Sequence, residues 1–90
     1  QLLEDVRNRE AFLQGVIRRF EQRHACSLEE LERRLDQGQG DEHPDWEDSI
    51  EWRNAVEATR RAQVMRSLLE WLLPLIALVK LLTFDQLRFV

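Results

Sequence analysis

Apolar residues recur with helical spacing from the first positions of the chain. At 100° per residue, Leu2, Val6, Leu13, Val16, Ile17, Phe20 and His24 fall on one face, within about 100° of arc, while Arg7, Asn8, Arg18, Arg19 and Gln22 lie off it. This predicts an amphipathic helix over residues 2–24. Arg9 and Glu10 interrupt the stripe, and Gly15 within it costs about 1 kcal/mol against Ala, too little to end the helix.

The next segment opens on Ser27-Leu28-Glu29-Glu30, the pattern of a capping box. The Ser27 hydroxyl is placed to accept from the Glu30 N–H, and the Glu30 carboxylate to return to the N–H of Ser27. Leu28, Leu31 and Leu35 follow at helical spacing, and Gln37-Gly38-Gln39-Gly40 supplies C-cap chemistry. A short helix over 28–37 is predicted, followed by a loop at Asp41-Glu42-His43-Pro44.

A third helix is predicted over 45–73. Asp45 suits its N-cap, and Glu47 and Asp48 suit the positive end of the helix dipole. Its apolar positions point in two directions. Trp46, Ile50, Val64, Leu68, Trp71 and Leu75 share one, broken by Arg53, Glu57, Arg60 and Arg61; Trp52, Ala55, Val56 and Ala62 share another. Either the helix serves two surfaces or it breaks near Thr59. Nine apolar residues then run from Trp71 to Val79 around Pro74, which lacks an N–H and crowds the carbonyl four residues back. The expectation is that Pro74 ends or kinks the third helix, that a short apolar helix follows over about 75–82, and that Thr83 caps a final turn over Asp85 and Gln86.

These elements predict an all-α fold: three main helices, 2–24, 28–37 and 45–73, plus a short apolar C-terminal helix. Helices one and three pair antiparallel and the second caps one end. The chain reads as a single small helical domain, 1–90, with 68–90 as its apolar C-terminal segment. At 90 residues, 43% apolar and 33% charged, it is neither low-complexity nor disordered, and it is too short for a deep substrate cleft. A core this thin needs a partner or a second copy.

Charge is uneven along the chain. Residues 1–40 carry 7 Arg against 8 Asp and Glu, residues 41–58 carry 1 Arg against 7, and residues 59–90 carry 4 Arg and 1 Lys against 2. The acidic centre suits packing against a basic end. The net charge of −4 shows no broad basic excess, and the Leu-Glu-Glu-Leu-Glu start of the second helix would push carboxylates at phosphate, so no nucleic-acid partner is expected.

The single cysteine, Cys26, excludes an intramolecular disulfide framework and points to a reducing, cytoplasmic setting. Gln1-Leu2-Leu3-Glu4-Asp5 reads as the start of an amphipathic helix rather than a leader. His24, Cys26 and His43 do not have zinc-site spacing, and the acidic run at 41–48 lacks the EF-hand pattern, so neither a metal nor a cofactor is expected. His24 reads as the end of a core stripe and Cys26 as a small half-buried residue beside a cap. There is no phosphate loop or nucleophile elbow, and the chain reads as no enzyme. Trp46, Trp52 and Trp71 read first as core residues, and alternatively as exposed anchors for a partner.

The apolar tail has three readings. Leu68–Phe84 is 17 residues, the lower limit of a bilayer span, and carries Glu70, Lys80 and Pro74. Burial between chains or within the fold is favoured over a span or surface attachment. Leu68, Trp71, Leu72, Leu75, Ile76 and Val79 form the densest apolar patch and are taken as the partner or oligomer interface.

Residues 20–57 resemble a known group. Phe20-Glu21-x-x-His24-x-Cys26-Ser27-Leu28-Glu29-Glu30-Leu31, a Gly-containing acidic loop and Glu47-Asp48-Ser49-Ile50-Glu51-Trp52 are similar to small helical bacterial and archaeal proteins read as antitoxin-like partners. Those typically carry Tyr-Gly where this chain has His24-Ala25, and the tail from Leu68 lies outside their pattern. The resemblance implies a partner protein and transfers no functional residue. The expectation is a non-enzymatic protein–protein interaction module, homo-oligomeric or antitoxin-like. The alternative is a small membrane-associated protein anchored by its tail.

Overall fold

The computed structural model describes the backbone of residues 1–40 and 42–88, and the side chains of residues 1–40 and 43–84. The fold is all-α. The first helix, α1, spans Leu2–His24 as its stripe predicts, with Glu4 and Asp5 in the first turn and Arg23 and His24 in the last, both favourable to the dipole. It ends at Ala25, whose backbone is left-handed (φ 53°, ψ 34°) and whose N–H donates to the Glu21 carbonyl at 2.8 Å. A Cβ in that conformation costs about 1 kcal/mol, where glycine would cost nothing.

The second helix, α2, spans Leu28–Asp36, one residue shorter than expected. The Glu30 N–H donates to Ser27 Oγ at 3.2 Å, as the capping box requires. The reciprocal half is absent: the Glu30 carboxylate is taken by Arg33 and Arg34 in the next turn. Two bonds close the C-terminus, Gln39 N–H to the Arg34 carbonyl (2.7 Å) and Gly38 N–H to the Leu35 carbonyl (3.1 Å), with Gly38 at φ 71°. This is a Schellman ending, and it needs the glycine.

An irregular turn, Glu42–Trp46, is broken at His43, whose backbone is extended, so the third helix does not start from an Asp45 cap. Helix α3 spans Glu47–Arg88, 42 residues and about 63 Å. The predicted break at Pro74 and the separate short helix are not found; α3 runs through Pro74 and through Thr83. Proline removes one N–H, the one that would reach the Glu70 carbonyl, and leucine-rich turns on both sides keep the rest of the ladder. The expected contacts of Thr83 with Asp85 and Gln86, and Asp41 of the predicted loop, lie outside the described residues.

Of the two apolar directions in the third helix, the fold buries the second. Trp52, Ala55, Ala58 and Ala62 are buried, with Leu69 further along. Trp52, 2% exposed, joins Phe20, Leu28 and Leu31 in the core, with Val16, Ile17, Cys26, Leu35 and Val56 packed around them. Its indole stacks between Phe20 (centroids 5.8 Å) and His24 (6.0 Å), so His24 is the end of the core stripe, as predicted. The alanines give α1 room to lie close to α3. Arg23 and His24 meet Asp48, Glu10 meets Arg66 and Arg7 meets Glu70, so residues earlier in α1 meet residues later in α3.

The molecule measures 73 × 18 × 16 Å, with a radius of gyration of 20.9 Å where a compact chain of this length has about 12 Å. Its accessible surface of 7060 Å² exceeds by about 1,500 Å² that of a compact monomer of its mass. The folded part is a head of α1, α2 and the first half of α3, from which the rest of α3 projects.

Candidate interaction surface

Charged contacts tie the head together at three levels. At the α2 end, Asp48 is almost fully buried, and its Oδ2 accepts from Arg23 Nη1 at 3.0 Å and lies 2.8 Å from His24 Nε2. Burial alone would push the Asp48 carboxyl up. The hydrogen bonds and charges of Arg23 and His24 outweigh it and hold the group below its ordinary value. Asp45 approaches the other ring nitrogen, Nδ1, at 3.9 Å. In the middle, Arg53 Nε reaches Glu32 at 3.1 Å and joins α3 to α2. At the far end, Arg66 Nε binds the buried Glu10 at 2.6 Å, and Glu70 pairs with Arg7 (3.2 Å) and Arg66 (3.4 Å). On the surface of α2, the Arg33 hydrogen bond foremost, against the opposing effect of desolvation and with help from Arg34, lowers Glu30 to about 2.

Glu10 and Asp48 carry more of the head's assembly than their sequence context indicated. Glu10 looked like an interruption of the stripe; it sits about 20° beyond the stripe's edge, close enough to face α3. Asp48 looked like a dipole-favouring residue of the first turn. The other buried polar residues, Ser49 and Thr59, satisfy their hydroxyls on backbone carbonyls of their own helix turn, Trp46 (2.7 Å) and Ala55 (2.8 Å). Cys26 is half-buried against the core, as expected. Among the described residues no group of three or more His, Cys, Asp or Glu is placed to hold a metal ion.

The six residues assigned to an interface, Leu68, Trp71, Leu72, Leu75, Ile76 and Val79, are all exposed. So is every residue from Trp71 to Phe84. Of the three tryptophans only Trp52 is a core residue; Trp46 is 56% exposed and Trp71 65%, which corrects the expectation of core packing for both. The reason is length. By the register of the Glu10–Arg66 and Arg7–Glu70 pairs, α1 reaches α3 only as far as about Pro74, and no described element covers the later turns of α3.

On a helical projection, Trp71, Leu82, Leu75, Val79, Leu72 and Ile76 occupy one side, and Leu73, Phe84, Ala77, Leu81 and Leu78 the other. The widest gap between apolar side chains over 71–82 is about 60°, and Lys80 fills it. The stretch is therefore apolar around nearly its whole circumference. An 18-residue window within His43–Phe84 has a mean hydropathy of 1.8, and α3 is long and apolar enough to cross a membrane. No family model, curated protein or solved structure matches the chain.

Proposed function

We propose that the chain is a non-enzymatic attachment module, a small helical head carried on a helix whose uncovered apolar end is its working surface. In this reading α1 and α3 form an antiparallel hairpin, α2 caps the end where Asp48 meets His24, and the head sits in the cytoplasm. One observation carries the proposal: residues 71–84 are exposed and almost wholly apolar, in a molecule whose head already has its own core. Contiguous exposed apolar surface of this size marks a contact site. A second copy of the chain or an antitoxin-like pairing with another protein would use this surface. The apolarity around the whole circumference favours a second reading, attachment to a membrane.

The test is Trp71→Ala, followed by sedimentation velocity and by thermal melts at two concentrations. Because Trp71 is 65% exposed, its loss opens no cavity, and the midpoint of the head should stay within about 0.5 kcal/mol of the parent. Association should weaken. Undiminished association with a lowered midpoint would place Trp71 in the head's own packing and remove the proposal.

A further inference from the structure

We infer that what covers the apolar end of α3 is the hydrocarbon of a lipid bilayer, which it enters lengthwise from the side that carries the head. The inference rests on the reading of this stretch as the working surface and names its partner. Four observations support it.

The first is circumference. A helix that packs on another protein helix or on a second copy shows a stripe of about 100° and keeps a polar face for water. From Trp71 to Leu82 only Lys80 is polar, so a single docking partner would leave half of the apolar surface wet. A lipid phase contacts every side at once, and a helix keeps its backbone hydrogen bonds satisfied there.

The second is length. Counted from Trp71, the first residue past the ion pairs, the apolar stretch to Phe84 is 14 residues, about 21 Å of helix, and α3 continues to Arg88, about 27 Å in all, against a hydrocarbon core of about 30 Å. A shortfall of that size is met by local thinning and by flanking side chains that stretch to the headgroups.

The third is the boundary on the head side. Arg7, Glu10, Arg66 and Glu70 form a cluster of ion pairs, and Trp71 follows at once. A charged belt followed by an exposed tryptophan matches the headgroup and interfacial layers in order. By the register of those pairs, the first turn of α1 lies at the same level, and its Leu2, 61% exposed, adds apolar surface there.

The fourth is the placing of the remaining charge. Lys80 lies one helical turn short of Phe84, where a long aliphatic stem can carry its amine to the opposite headgroups.

The test uses the full chain, reconstituted by detergent removal in the presence of vesicles of phosphatidylcholine and phosphatidylglycerol. The chain should float with the vesicles on a density gradient and resist an alkaline carbonate wash. Lipids brominated on their acyl chains should quench part of the tryptophan emission, and Trp71→Phe should abolish that part while the Trp52 signal of the folded head persists. The double variant Leu78→Asp, Val79→Asp lies beyond the reach of α1 and replaces two exposed residues, so it should melt as the parent does. Its floated fraction should fall at least about tenfold, since a carboxylate at hydrocarbon depth is worth more than that in partition. A chain that stays in buffer as a discrete oligomer and ignores vesicles overturns the bilayer and leaves the interaction surface standing, with a second copy as its occupant. A chain that is monomeric in buffer and ignores vesicles overturns both.

Discussion

Replacing Asp48 by Asn should loosen the junction between the end of α1 and the start of α3. The exchange keeps the shape of the side chain and removes its charge. Asp48 and His24 each expose only 9% of their side chains, so their 2.8 Å contact is shielded and belongs to the stronger, charge-assisted class, worth about 1.5–3 kcal/mol. Arg23 is 59% exposed, and its 3.0 Å pair with Asp48 is worth about 1 kcal/mol at most. The substituted amide still offers one acceptor, so the net loss should be about 2 kcal/mol. At roughly 4–8 °C per kcal/mol for a domain of this size, the midpoint should fall by about 10 °C. Acid should act in the same direction on the parent. The folded-state pKa of Asp48 lies below its unfolded value of about 3.9, so its contribution is complete above that pH and is lost as pH falls through the folded value. The Asp48→Asn variant should lack that part of the acid slope. Thermal melts followed by the near-ultraviolet signal of Trp52, in a series from neutral to acid pH, measure both effects. An unchanged midpoint at neutral pH together with an unchanged acid slope would refute the reasoning and reduce this contact to a surface pair.

Four further substitutions have defined outcomes. Trp52→Ala removes a fully buried large side chain and should cost about 3–5 kcal/mol, enough to unfold the head, as read by loss of the near-ultraviolet signal. Ser27→Ala leaves the Glu30 N–H without its acceptor and should cost roughly 0.5–2 kcal/mol in urea titration. Ala25→Gly frees a left-handed residue of its Cβ and should raise the midpoint by the equivalent of about 1 kcal/mol. Pro74→Ala restores the N–H facing the Glu70 carbonyl and should increase far-ultraviolet helicity without moving the head's midpoint.

The helical content of the chain was legible because long amphipathic periods and one cap carry it. The stripe from Leu2 to His24 set the span of α1 to the residue, and Ser27 set the start of α2. The start of α3 was misplaced by two residues, since a dipole-favouring acidic run does not single out one cap. Pro74 misled for a different reason. Its local penalty of about 3 kcal/mol is confined to one turn, and leucine-rich turns on either side of it outweighed that penalty. Sequence periodicity presented two apolar directions in the third helix and did not choose between them. Tertiary packing chose, because Ala55, Ala58 and Ala62 let a neighbouring backbone come close while Trp46, Ile50 and Val64 do not lie on that side. The apolar surface was legible as a patch of six residues between 68 and 79; that residues 71–84 face solvent all round was not, because exposure depends on how far α1 reaches.

That reach organises the molecule. Helix α1, 23 residues, is about 34 Å long and α3 about 63 Å, and by the register of their ion pairs α1 reaches only to about Pro74, so among the described residues no element lies beside about the last third of α3. The sequence changes character where cover ends. Before Glu70, α3 alternates charged residues with a narrow buried stripe of alanines and Trp52, and Arg53 and Arg66 find carboxylates on α2 and α1. Beyond Glu70 the alternation stops and Lys80 is the one charge up to Phe84. A surface left bare by accident would keep the polar residues that water requires. Here polarity is withdrawn from every side of the helix at the level where α1 ends, and the last ion pairs, Arg7–Glu70 and Arg66–Glu70, close the head at that boundary. Substitutions at the exposed positions beyond Pro74 should therefore leave the midpoint of the head within about 0.5 kcal/mol of the parent.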